Sequence, residues 1–147
     1  MVTQRDEYRS LYQSYLEACN EHDFDRMQSF YTSTITVNDV PMDAAAVTAQ
    51  LVPIVSAFPD WHWNVRHLVI DGDAIALHFS VTGSHRGTFL GIEATGRHVT
   101  ISEFTLYLVE GGKFAKVWDF AYTDEILRQI GAEAGAASST FADQAQS

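Results

Sequence analysis

Two short turn signals, Asp71-Gly72-Asp73 and Gly111-Gly112, punctuate the second half of this chain. Glycine turns this short close β-hairpins, so the runs on either side of each must pair antiparallel. The runs at 61–70, 74–82, 98–110 and 114–121 are rich in aromatic and β-branched residues. Alternation is cleanest over 74–82. Ile75, Leu77, Phe79 and Val81 fall on one face, and Ala76, His78, Ser80 and Thr82 on the other. A further short strand is expected around Thr88-Phe89-Leu90, inside the turn-rich stretch 83–96.

The first half carries the helical period instead. Tyr8, Leu11, Tyr12, Tyr15, Leu16 and Cys19 form one stripe of an amphipathic helix. After the break at Asn20-Glu21-His22, Asp23 caps a short second helix bearing Phe24, Met27, Phe30 and Tyr31. Ile35-Thr36-Val37 reads as a short strand and 38–41 as a turn. Asp43 starts a third helix with Val47, Leu51, Ile54, Val55 and Phe58 inward, kinked at Pro53. Thr123 opens a last helix with Ile126, Leu127 and Ile130, and Gly131 stands where it should stop. Helices first and an antiparallel meander afterwards predict an α+β fold. The sheet should wrap round about three N-terminal helices as a cone with an open mouth, where a pocket can form.

At 147 residues there is chain enough for one core. We expect a single domain over 1–132 and a disordered tail over 133–147, which is small and polar. Nineteen acidic against 9 basic residues leave a net charge of −10. That balance argues against nucleic acid or an anionic membrane as partner. Cys19 is the sole cysteine, so there is no intrachain disulfide and no cysteine cluster for a metal. Its place in the apolar stripe makes it a core residue. No apolar run approaches the roughly 18 residues of a membrane span, and the polar N-terminus is no signal peptide. The cytoplasm is the expected compartment.

The stretch TGSHRGTFLGIEATGR (82–97), a long strand, and GGKFAKVWDFAYTDEILRQIGA (111–132) together resemble the SnoaL-like polyketide cyclases of the NTF2-like superfamily. FPDW (58–61), GDAIALHF (72–79) and EHDFDRMQSFY (21–31) are similar to it as well. The resemblance implies a cone-shaped α+β barrel, usually dimeric. It implies cofactor-free intramolecular aldol ring closure of a polyketide-derived ester, with Asp119 as acid and base. Many relatives read Glu-His-Trp-Asp where this chain reads Lys116-Val117-Trp118-Asp119. That departure keeps isomerisation, dehydration or epoxide opening on a polyketide or terpenoid skeleton as a rival activity.

The residues can also be weighed by their chemistry. Alternation groups Asp119 with Val117 and Ala121, and Glu103 with Val99, Ile101, Thr105 and Tyr107. If those faces line the pocket, burial raises the pKa of a carboxyl and readies it for proton transfer near neutrality. If they face solvent, both are ordinary surface acids. His78 could donate to an enolate or be a surface histidine. His85, between Gly83 and Gly87, could bind substrate or satisfy loop carbonyls. Asn38 could present its amide at the mouth or serve the turn. Tyr12, Tyr15, Trp63 and Tyr107 are the aromatics expected to bind a small, hydrophobic, polycyclic substrate. Asp119, Glu103, His78 and His85 match no helix-borne metal signal, and neither a phosphate loop nor a Gly-x-Ser-x-Gly elbow occurs. No metal or cofactor is expected. A non-catalytic dimeric ligand-binding module remains a third reading, and it requires Asp119 and Glu103 to be exposed or bonded only to backbone. If both acids point inward, Trp118, Phe120, Phe104, Leu106 and Leu108 point outward. Such an apolar face calls for a second copy of the chain.

Overall fold

The first three helices each begin where a polar side chain, Thr3, Asp23 or Asp43, satisfies a free backbone N–H group. The computed structural model describes residues 1–131. In α1 (Gln4–Asn20), the Thr3 hydroxyl accepts from the Asp6 N–H while the Asp6 carboxylate accepts from the Thr3 N–H. The stripe of α1 turns Tyr12, Tyr15, Ala18 and Cys19 inward. Asp23 caps α2 (Phe24–Gln28), which buries Met27. This helix is shorter than its apolar spacing predicts. The Phe30 carbonyl accepts from the Phe114 N–H, and Tyr31 opens β1 (Tyr31–Val37). Pairing with a distant strand overrides the local helical period there.

Asn38 and Asp39 take positive φ values of 48° and 71°, which Asn and Asp tolerate better than most residues. The expected turn therefore folds β2 (Val40–Met42) back onto β1 as a small hairpin. In place of one helix kinked at Pro53 there are two, α3 (Ala44–Ala49) and α4 (Val52–Ala57). Proline has no N–H to continue α3, but in the first turn of α4 none is needed.

The rest of the sheet is β3 (His62–Asp71), β4 (Ala74–Ser84), β5 (His98–Glu110) and β6 (Lys113–Ala121). Both glycine turns close hairpins as predicted, with Gly72, Gly111 and Gly112 at positive φ. No strand forms around 88–90; Phe89 makes a single bridge with Ile92. The Arg86 and Gly87 N–H groups donate to the Ala57 carbonyl instead, which straps this loop across α4. A Cβ on Gly87 would stand 2.7 Å from the Ser56 carbonyl oxygen, so the strap needs glycine. α5 (Thr123–Gly131) packs on β5, where the Gln129 side chain bonds both backbone groups of Thr100. The tail expected over 133–147 lies outside the described residues. No helix among the described residues is long and apolar enough to cross a membrane.

The six strands run in the order β2-β1-β6-β5-β4-β3. Every neighbouring pair is antiparallel except β1 and β6, which are parallel. The result is a curved, unclosed sheet with the N-terminal helices against its hollow, the α+β arrangement expected. Tyr12, Phe79, Tyr107 and Phe114 join α1 to the sheet through ring contacts with centroids 4.7–6.3 Å apart. On the outer face Phe104, Leu106 and Phe120 stay exposed, at 47%, 37% and 57%.

Candidate active site

Period-two alternation sends residues 103, 105 and 107 of β5 and residues 117 and 119 of β6 to the hollow side of the sheet. Register then sets Thr105 opposite Asp119 and Tyr107 opposite Val117. All five line a cavity of about 130 Å³. Tyr12, Tyr15, Leu16 and Cys19 of α1 face them across it. Trp63 and Phe79 come from β3 and β4, while Val47, Gln50 and Leu51 close the side toward α3.

Two carboxyls stand in this wall in different surroundings. The Thr105 hydroxyl donates to Asp119 Oδ1 at 2.8 Å, and the Trp63 indole N–H donates to Glu103 Oε1 at 3.0 Å. Asp119 stands close enough to Glu103 to act on its carboxyl. Burial pushes the Glu103 carboxyl well above the usual carboxylate range, and Asp119 pushes it further; the Trp63 N–H opposes this without cancelling it. Some surface of Glu103 still opens to the cavity, but protein surrounds its carboxyl. Two adjoining carboxyls cannot both be charged cheaply, and burial favours the neutral form of Glu103.

Asn38 joins the site through the parallel pairing of β1 and β6. Its N–H donates to the Val117 carbonyl, and its side-chain oxygen accepts the Asp119 N–H at 2.9 Å. The turn role and the site role weighed for Asn38 therefore coincide. The adjacent Asp39 carboxylate accepts from the Trp118 indole at 3.1 Å, which pins the same turn to the outer face of β6.

Of the residues singled out from sequence, Asp119, Glu103, Asn38, Tyr12, Tyr15, Trp63 and Tyr107 meet at this cavity. The two histidines do not. His78 precedes the cavity-lining Phe79, so alternation turns it to the outer face. There its Nδ1 lies 3.0 Å from Nδ1 of His67, and its ring stacks on Phe104 at 4.5 Å. His85 is wholly buried in the strapped loop. Its Nδ1 accepts from the Thr95 N–H, its ring stacks on Phe58 at 5.3 Å, and its backbone bonds Arg97 and Gly96. His85 holds the loop together and does not face the cavity. Asp119, Glu103, His78 and His85 thus never converge, and no cluster of three metal-ligating side chains occurs among the described residues.

Sequence reasoning missed Thr105, Tyr31 and Cys19 as cavity residues. Thr105 was legible, since it shares its strand face with Glu103. Tyr31 was hidden by the helical reading of 24–31, and Cys19 by its place in a core stripe. Burial pushes the Cys19 thiol up to about 12, so it lines the cavity as a neutral group.

The comparisons with known proteins agree with this geometry. The model of the SnoaL-like polyketide cyclases matches residues 9–130. TsrD from Streptomyces laurentii is 26% identical and superimposes with a TM-score of 0.78, over 89% of this chain and 99% of its own. A SnoaL-like polyketide cyclase from Agrobacterium tumefaciens is also 26% identical, with a TM-score of 0.72 over 89% of this chain and all of its own. AclR from Streptomyces galilaeus, at 22% identity and a TM-score of 0.77 over 89% and 99%, shares the fold. No functionally curated protein matches the chain. A family match across most of the chain, on an NTF2-like cone whose cavity holds Asp119, makes this protein a member of the SnoaL-like polyketide cyclase family.

Proposed function

We propose that this chain is a cofactor-independent acid–base enzyme of natural-product biosynthesis. Its reaction is the intramolecular aldol closure of a ring in a polyketide-type carbonyl compound. The observation that carries this reading is the Asp119–Glu103 pair in the cavity wall, one carboxyl bonded to a hydroxyl and the other desolvated beside it. Asp119 takes the proton α to a carbonyl, and the C–H electron pair becomes an enolate. The enolate carbon attacks a second carbonyl of the same molecule, forming the C–C bond and leaving an alkoxide. Glu103 gives that alkoxide its proton, and the proton gained by Asp119 crosses to Glu103 to reset the pair. No atom is gained or lost overall, so no co-reactant is needed.

Asp119→Asn tests the assignment. General-base catalysis supplies about 10²–10⁴-fold, so turnover of a cyclisable substrate should fall by that factor in a folded variant. Full turnover in Asp119→Asn overturns it.

Val117 supports a second reading. It lines the cavity where many relatives carry histidine, which removes one polar group from the wall. Isomerisation, dehydration or epoxide opening would use the same acid pair. Oxygen-18 from labelled water enters the product of an epoxide hydrolase, but not that of an aldol or isomerase reaction. A purely ligand-binding module is less well supported, since both carboxyls line a cavity and are bonded to side chains.

The assembly reading rests on the outer face. Register sets Phe104 opposite Phe120 and Leu106 opposite Trp118, which makes one apolar patch across β5 and β6. A second copy packed on it by two-fold symmetry would bury it.

A further inference from the structure

The acid pair accounts for proton movement but leaves the oxygen on which enolate charge builds without a partner. Thr105 uses its hydroxyl proton on Asp119, and Trp63 uses its indole proton on Glu103. Tyr15, on α1, and Tyr31, at the head of β1, also line the cavity, and their hydroxyls meet at 2.6 Å. Two phenols carry two protons, and the bond between them uses one. The second has no oxygen or nitrogen acceptor among the described residues; the other polar group beside Tyr15 is the Cys19 thiol, a weak acceptor. Burial keeps both phenols protonated, so both act as neutral donors. Their rings are also fixed. Tyr15 packs edge-on against Tyr31, Phe30 and Phe114, with centroids 5.7, 5.4 and 4.9 Å away. A hydroxyl that already accepts a hydrogen bond is a stronger donor, and one held by packing need not reorient as charge develops.

We propose that the Tyr15–Tyr31 hydroxyl pair is the carbonyl-oxygen site of this cavity, binding a ketone oxygen of the substrate and retaining it as that oxygen becomes an enolate. The inference rests on the carbonyl reading proposed above. As Asp119 takes the α-proton, the C–H electron pair forms the new C=C bond, and the C=O pair moves onto oxygen. That oxygen gains the negative charge while both phenols keep their protons. The ligand class that such a site favours is a planar ring bearing an enolate-like oxygen, of a size to place one ring inside about 130 Å³.

The test uses 4-nitrophenol, which mimics an enolate when ionised, and 4-nitrotoluene, which has a similar ring without the oxygen. Both are titrated into the full chain carrying Asp119→Asn, which removes the base from the site. We expect 4-nitrophenol to bind at least about tenfold tighter than 4-nitrotoluene, as a hydrogen bond to a charged oxygen requires. Adding Tyr15→Phe or Tyr31→Phe should weaken 4-nitrophenol by about 10- to 100-fold and leave 4-nitrotoluene unchanged. Equal affinity for the two probes in Asp119→Asn overturns the proposal, whether or not the phenylalanine variants fold. Unchanged 4-nitrophenol affinity in both phenylalanine variants overturns it too. Turnover retained in Asp119→Asn would instead overturn the acid–base reading, so the two failures are distinguishable.

Discussion

The two faces of β5 and β6 are built from alternate residues of the same strands, yet their chemistry is opposite. On the hollow face Glu103, Thr105 and Asp119 lie in a cavity wall, and each polar group finds a polar partner. On the outer face Phe104, Leu106 and Phe120 stand in solvent. Burial is what separates them. Inside, it raises the Glu103 pKa, while the outer face keeps apolar residues in solvent. The histidines show the same division: His78 is one residue from Phe79, and that step takes it out of reach of any cavity chemistry.

The largest test of this contrast is stability. Phe79→Ala on the hollow face should cost about 3–5 kcal/mol in denaturant unfolding, whereas Phe104→Ala in the monomer should cost much less. Similar losses would mean that the outer face is core as well. Next comes chemistry. Glu103→Gln keeps the shape but cannot deliver a proton, and should lower turnover by about 100-fold or more. It should also change the pH dependence of stability. Folded Glu103 keeps its proton above its ordinary value of 4.5, so the folded state binds more protons than the unfolded one there. Stability is then fullest below that pH and falls as pH rises toward the folded pKa, by at most about 1.4 kcal/mol per pH unit. Glu103→Gln should remove that contribution, so the variant gains on the wild type as pH rises above 4.5. A parallel pair of curves would show that Glu103 is not desolvated.

A smaller effect is expected at the outer face. Phe104→Glu should weaken self-association by about tenfold to a hundredfold in sedimentation, because the glutamate would be buried without a partner. A wild type that is monomeric at micromolar concentration would remove the dimer from the proposal. The smallest expected effect is at His78. His78→Ala should leave turnover unchanged, and a large loss would mean that the outer face takes part in the reaction.

Much of this contrast was legible in the residue order. Alternation alone grouped Asp119 with Val117, and Glu103 with Thr105 and Tyr107, and it grouped Phe104, Leu106 and Phe120 together. It could not say which group faced the helices. For His85 it offered no guide at all, because a residue leaving a strand has no period, and the Thr95 and Arg97 bonds that enclose it belong to a folded loop. The helical reading of 24–31 failed at its end because Phe30 and Tyr31 answer to Phe114, more than eighty residues away.

Sequence by itself determined the local elements. Caps at Thr3, Asp23 and Asp43, glycine turns at Gly72 and Gly111, and the period along each run act over a few residues and need no other part of the chain. Tertiary structure alone decided the site. The parallel closure of β1 on β6 brings Asn38 to the Asp119 backbone and sets Tyr31 beside Tyr15. Curvature of the sheet brings Trp63 of β3 and Asp119 of β6 to Glu103, and burial there raises its pKa. The physical reason is that desolvation and hydrogen-bond partnership depend on every group packed round a side chain, and here those groups come from strands and helices far apart in the chain.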